Sequence, residues 1–312
     1  MNIGKTHNLF LSNRLSLFAV LFAFIAERLY LTGNQWDNIS LWSCSLIQIG
    51  IAFFLLQLNH TFNIIHGRTF LPTLFYLLFV GSNPVFYNDL KGSLAALAVV
   101  LCYYILFSSY QKPASQVNAL NISLLLVLGS LLWTPLLIFF PVLWWGFHSF
   151  QCFTPRVFFA SLSGFIIVYL FIFTFSVFQG DTNIFFSLLP HFDTLFTVQK
   201  PDFTIFEWIT WGVLLTIWIT IGLYLFILDI SEKIWTISLL SFFYLSSFII
   251  FIFFILQSQY KSTWGLINFI PVAFLTGHFF SRSNKKMMQY LLLLFFLFFI
   301  VIGIAQHVAA MW

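Results

Sequence analysis

Ten residues have types and positions that could do chemistry. They are Glu27, Arg28 and Asp37 in one polar stretch, Asn83, Asp89 and Lys91 in a second, His191 and Lys200 in a third, and Tyr260 and Lys261 in a fourth. Each stretch closes or opens a long apolar run. An ionisable group at the edge of a membrane span is expensive, so it is a candidate functional group by default. Carboxylates there could move protons, and lysines and arginines could hold an anion. Glu27 carries the sharpest case. Thirteen residues separate it from Arg14, about 20 Å of helix. If Arg14 marks the inner boundary, Glu27 lies inside the outer leaflet and needs a partner or a water-filled cavity. Arg28 points about 100° away from Glu27 and is expected to snorkel to the interface. Each of these residues also has a plainer reading: topological stop, helix terminator, solvated loop acid or interface anchor.

The elements that must position these groups are membrane helices. The chain has 312 residues, 61% hydrophobic and 7% charged, with a mean hydropathy of +0.97. An ordinary soluble domain is about 25% charged, so this chain cannot cover itself with a water-compatible surface. The expected fold is all-α, a polytopic integral membrane protein forming one transmembrane domain over residues 1–312. The 45 Phe residues suit lipid-facing and helix-packing surfaces. Net charge is +4, but the basic residues are scattered singly, which fits membrane topology and not a nucleic-acid partner. Cys44, Cys102 and Cys152 are isolated, and no metal-ligand spacing occurs. No cofactor is legible.

The apolar runs predict about eleven spans: 15–31, 39–58, 70–80, 92–110, two short helices within 120–150, 157–178, 207–228, 234–256, 265–280 and 288–308. Gly81-Ser82-Asn83-Pro84 ends the short third span, because a residue before proline is pushed out of the helical region. The run 120–150 is too long for one span and is expected to split at Trp133-Thr134-Pro135 into a helical hairpin. Residues 179–206 form the longest connection, an external loop with an interfacial helix near Ser187-Leu188-Leu189-Pro190. Gln48, Gln57 and Asn268 inside spans are expected to hydrogen-bond between helices.

With the N-terminus inside and the C-terminus outside, Lys5, Arg14, Arg68, Lys112, Arg156, Lys233, Arg282, Lys285 and Lys286 face the cytoplasm. That is nine of the 13 basic residues, in agreement with the positive-inside rule. Seven of the nine acids, Glu27, Asp37, Asp89, Asp181, Asp193, Asp202 and Glu207, then lie outside. The outer face is where chemistry could sit, and the expected location is the cytoplasmic (inner) membrane.

Two resemblances bear on function. Gly81-Ser82-Asn83-Pro84 after a short span, the Leu131–Pro141 hairpin and the late Lys261…Ile270-Pro271 span resemble an uncharacterised family of Phe-rich polytopic inner-membrane proteins of Bacteroidota. The layout is also similar to the C-type membrane glycosyltransferases, which take sugars from polyprenyl-phosphate donors outside the cytoplasmic membrane. That resemblance implies an external carboxylate base, Glu27 or Asp37, to deprotonate an acceptor hydroxyl. It implies a cation, Arg28, Lys91, Lys200 or Lys261, to hold the departing phosphate, with Asn83, Asp89, His191 and Tyr260 lining the substrate. The chain departs from that class in lacking a paired-acid motif in the first loop, in its short length and in having no external soluble domain. Two other readings stand beside it. One is a non-catalytic subunit or scaffold of an envelope assembly, whose partners besides the bilayer are unknown. The other is a transporter, for which the expected matching halves are missing.

On the transferase reading, Glu27→Gln or Asp37→Asn abolishes function while the protein still accumulates in the membrane; normal activity in both variants removes that reading. The eleven-span topology is checked by a periplasm-active reporter fused after Trp312, which should be on. Signal only from cytoplasm-active fusions overturns it.

Overall fold

A peptide group in hydrocarbon has no water to bond, so apolar runs of this length close their hydrogen bonds within helices. The computed structural model describes residues 21, 24–25, 38–65, 69–112, 115–190, 203–228, 234–282 and 286–311. Eleven α-helices have their bounds among these residues, and no strand occurs there. They are α1 (Ile39–Phe62), α2 (Leu71–Gly81), α3 (Leu90–Phe107), α4 (Gln116–Leu132), α5 (Phe139–Ser149), α6 (Pro155–Phe178), α7 (Asn183–Leu188), α8 (Ile205–Leu228), α9 (Ile234–Leu256), α10 (Lys261–Arg282) and α11 (Lys286–Met311). Seven stretches, in α1, α3, α6, α8, α9, α10 and α11, are long and apolar enough to cross a membrane. The chain is a multi-pass membrane protein.

Three expected spans are short. The 11 residues of α2 and of α5 reach about 16 Å each, and the 17 of α4 about 26 Å, against a hydrocarbon core of about 30 Å. The expected hairpin is present. Helix α4 stops at Leu132, Trp133 is extended, and a 3-10 turn over Thr134–Ile138 leads into α5. Near the position where an interfacial helix was expected, the short helix α7 ends at Leu188 ahead of Pro190. Helix α10 continues through Pro271.

The chain divides into two compact units. Unit 1 comprises residues 1–93 and 200–312, and unit 2 residues 94–199; the first turn of α3 belongs to unit 1 and the rest to unit 2.

Unit 1 is built around α10, which packs on α2, α8, α9 and α11. Of its membrane-length stretch 94% is buried, against 28% for α6. That stretch is also the least apolar of the seven. Enclosure by other helices lets α10 carry polar side chains that lipid would reject. Phenylalanines fill the space around it. Phe79 lies 5.1 Å from Phe299 and 5.5 Å from Phe269 between ring centroids, and Phe75 lies 5.6 Å from Phe280. These tilted ring pairs add specific geometry to simple apolar burial.

Unit 2 is held by the crossing of α4 and α6. At Gly164 of α6 an added Cβ would overlap the Ser123 hydroxyl and lie 2.9 Å from Ser123 Cβ and 3.2 Å from the Leu120 carbonyl. Small residues let membrane helices approach this closely, and dispersion and packing then hold them together. Trp144 of α5 ties in by donating from Nε1 to Ser161 Oγ at 3.0 Å.

Gly164→Ala should therefore lower the unfolding midpoint of the purified protein in detergent, by about 1–3 kcal/mol in stability. Adding Ser123→Gly should recover most of that loss. An unchanged midpoint in the single variant contradicts the close crossing.

Candidate functional site

Three helices of unit 1 begin and two end near the first turn of α10. The beginnings of α3, α8 and α10 each expose unpaired backbone N–H groups and the positive end of a helix dipole, so each favours a nearby carboxylate. The sequence supplies one to each of the first two.

Asp89 caps α3. Its Oδ1 accepts from Gly92 N at 2.8 Å, and its backbone carbonyl accepts from Ser93 N at 2.9 Å. Its Oδ2 accepts from the hydroxyls of Ser262 at 2.6 Å and Thr263 at 2.8 Å, both in the first turn of α10. Gly92 is needed here, since a Cβ would overlap the Asp89 carboxylate and lie 3.0 Å from Thr263 Cα.

Glu207 caps α8 through a reciprocal capping box, the Thr-x-x-Glu pattern of Thr204 and Glu207. Glu207 Oε2 accepts from Thr204 N at 2.8 Å, and Glu207 N donates to Thr204 Oγ1 at 3.3 Å. The same carboxylate oxygen accepts from Lys261 Nζ at 3.0 Å. The side chain of Glu207 is 5% exposed and that of Lys261 26%, so a nearly dry carboxylate is met by a half-buried ammonium. Lys261 Nζ also sits 5.6 Å from the centroid of the Phe203 ring, a cation–π arrangement.

Helices α2 and α11 end beside these starts. Tyr87 Oη meets His307 Nε2 and donates to the Gly81 carbonyl at 3.1 Å. Gly303 of α11 lies against the backbone of Ser82, 3.3 Å from where its Cβ would be. Gln306 donates from Nε2 to Thr210 Oγ1 at 3.1 Å. Deeper in the unit, Gln48 of α1 donates to the Phe86 carbonyl at 2.9 Å and to Ser93 Oγ at 3.3 Å.

Of the residues singled out in the sequence, Asp89 and Lys261 come together, joined through Ser262, Thr263 and Glu207. Lys91 is exposed. Asn83 is buried and works as a cap, accepting from Val85 N at 3.0 Å. Tyr260 is half-buried in the 3-10 turn Ser258–Tyr260 that leads into α10. Glu27, Arg28, Asp37, His191 and Lys200 lie outside the described residues. Gln48 and Asn268 make the expected hydrogen bonds between elements, Asn268 by accepting from Ser247 Oγ at 2.8 Å, whereas Gln57 is exposed. Sequence reasoning missed Glu207, Tyr87, Gln306 and His307 as members of one cluster. The capping box was the available signal for Glu207; nothing local marks the other three.

The cluster can hold charge, but it offers little free reactivity. Asp89 accepts three hydrogen bonds through its carboxylate, and Glu207 is neutralised by Lys261. No group of three or more metal-ligating side chains gathers among the described residues. All three cysteines are buried and unbridged. Burial is the largest influence on the Cys152 thiol, in the connection between α5 and α6, and pushes it up to about 11. It stays protonated at neutral pH, which does not suit a nucleophile. Comparison with protein families, with curated proteins and with solved structures finds no match for the chain.

Removing one partner of a buried ion pair strands the other, at a cost of up to about 3–5 kcal/mol. Lys261→Met should therefore lower the unfolding midpoint markedly, and Lys261→Met combined with Glu207→Met should recover much of the loss. Equal losses in the single and double variants would show that the pair contributes nothing.

Proposed function

We propose that the protein is a non-catalytic multi-pass subunit of a cell-envelope assembly in the cytoplasmic membrane, crossing it about eleven times with the N-terminus inside and the C-terminus outside. Seven long apolar helices support the membrane placement. The distribution of basic residues supports the orientation, and the eleven-span count requires α2, α4 and α5 to cross with their ends buried in protein. Membership of the Bacteroidota family of Phe-rich membrane proteins belongs to the same proposal.

One observation carries the non-catalytic reading: at the Lys261 end of unit 1 Asp89 through both its oxygens, and Glu207 through Oε2, are bonded to the helix starts they cap and to α10. A general base must turn a free lone pair toward a substrate proton. Asp89 instead caps α3 and takes two hydroxyls from α10, and Glu207 caps α8 and takes Lys261. These contacts lock helix ends together, which is what a scaffold needs.

A polyprenyl-phosphate-dependent transferase is the second reading. The partly exposed Lys261 ammonium favours it as a phosphate contact, with Glu27 or Asp37 left to act as base. The test is reconstitution of the purified protein with polyprenyl-phosphate sugars, alongside isolation from native membranes under mild detergent. The scaffold reading expects no sugar transfer and a partner present in fixed stoichiometry. Transfer that is lost in Glu27→Gln overturns it.

A further inference from the structure

Helix α4 has three faces. On one, Leu120 and Ser123 lie against Gly164 of α6, and Val127 packs with Val168 and Tyr169 of the same helix. On another, a Cβ at Gly129 would lie 3.6 Å from Ala98 Cβ of α3. The third carries Val117, Asn121, Leu125, Leu128 and Leu132. At 3.6 residues per turn, this spacing keeps all five within about 80° of arc. Val117, Asn121, Leu128 and Leu132 are exposed and Leu125 is half-buried. Four of the five suit hydrocarbon. Asn121 does not, and its carboxamide makes no hydrogen bond to any described residue.

Asn121 also lies deep. Leu120 and Ser123, on either side of it in the chain, are level with Gly164. Gly164 stands 8 residues after the exposed Arg156 and 17 before the exposed Asp181, with no charged residue between them. These two charges mark the wet ends of α6, about 36 Å apart, and a hydrocarbon core of about 30 Å fits between them. Gly164, about 12 Å in from Arg156, is then about 9 Å inside the core. Lys112, exposed 4 residues ahead of α4, marks the same end of unit 2. Water is scarce at that depth, and the short asparagine side chain cannot reach out to find it. An unbonded carboxamide there is unfavourable.

The group that meets Asn121 must bring both a donor and an acceptor to the same depth. A second copy of the chain does so by necessity. It inserts in the same orientation, so a twofold axis along the membrane normal sets Asn121 level with Asn121. Each carboxamide then donates to and accepts from its mate. The apolar residues above and below close the seam, and the single polar position fixes its register. We propose that the protein is a homodimer joined through this face of α4 by an Asn121–Asn121 hydrogen-bonded pair. The inference needs only the membrane placement of α4 and α6, and it requires neither a reaction nor an envelope partner.

The test places fluorophore-labelled full-length protein in vesicles of phosphatidylcholine and phosphatidylglycerol and reads the dimer fraction by energy transfer as protein is diluted with lipid. The unmodified protein should dimerise. Asn121→Leu should weaken dimerisation about tenfold, the effect of one hydrogen bond between membrane helices, and Asn121→Gln should retain it. The leucine variant puts an apolar side chain on an exposed face, so its unfolding midpoint when diluted to monomer should not fall. In native membranes, Leu128→Cys should form an intermolecular disulfide on oxidation, whereas Phe171→Cys, on the exposed face of α6, should not. Unmodified protein that stays monomeric at every dilution overturns the proposal, and so does a dimer that Asn121→Leu leaves undiminished. A disulfide at Phe171→Cys in place of Leu128→Cys overturns the α4 contact, and a Leu128→Cys crosslink to a different protein overturns the second copy.

Discussion

Enclosure of α10 is the constraint on which unit 1 depends. A helix facing lipid can be apolar all round, but a helix surrounded by protein must match its neighbours group by group. Helix α10 begins with Lys261-Ser262-Thr263, one charge and two hydroxyls in three residues, and this turn lies against α3 and α8. Each polar group must find a partner in a place where water is scarce. Asp89 meets the two hydroxyls and Glu207 meets the ammonium. The same carboxylates cap the helices that carry them, so a single side chain satisfies a helix start and ties it to α10.

This dual use explains why helix ends, and not helix middles, hold the polar capital of unit 1. Helix starts attract acids through their free N–H groups and dipoles. Helix ends offer free carbonyls, and Tyr87 serves one of them at Gly81 while meeting His307. Further down α10, the spaces are closed by rings: Trp211 stacks on Phe269 at 5.4 Å and Phe243 on Phe274 at 4.8 Å. Asn268, which accepts from Ser247, and the buried Thr276 and His278 are polar groups among these rings.

Much of this was legible in the residues. The apolar runs mark the helices. Asn83-Pro84 marks the stop after α2, and Trp133-Thr134-Pro135 marks the turn of the hairpin, because proline fixes both its own backbone and that of the residue before it. What composition could not show is which polar groups pair. Asp89 and Lys91 are two residues apart and look equivalent, yet one is a cap bonded to α10 and the other is exposed. The difference arises from the direction each side chain takes on a helix that has only just begun. Glu207 was recognisable as an acid at a helix start through Thr204-x-x-Glu207. Its pairing with Lys261, 54 residues later, is a fact of tertiary structure. Gln306 and His307 lie in a run that reads as plain span, and Pro271 lies within a helix that continues past it.

The most direct measurement of this account is cysteine accessibility at the start of α10. Thr263→Cys and Lys91→Cys would be labelled in intact protein with a membrane-impermeant maleimide, before and after denaturation. Burial of the α10 turn beneath Asp89 predicts rapid labelling at position 91 and labelling at position 263 only after unfolding. Equal labelling at both positions in the folded protein would mean that the turn is open to water, and that Asp89 and Glu207 do not close it.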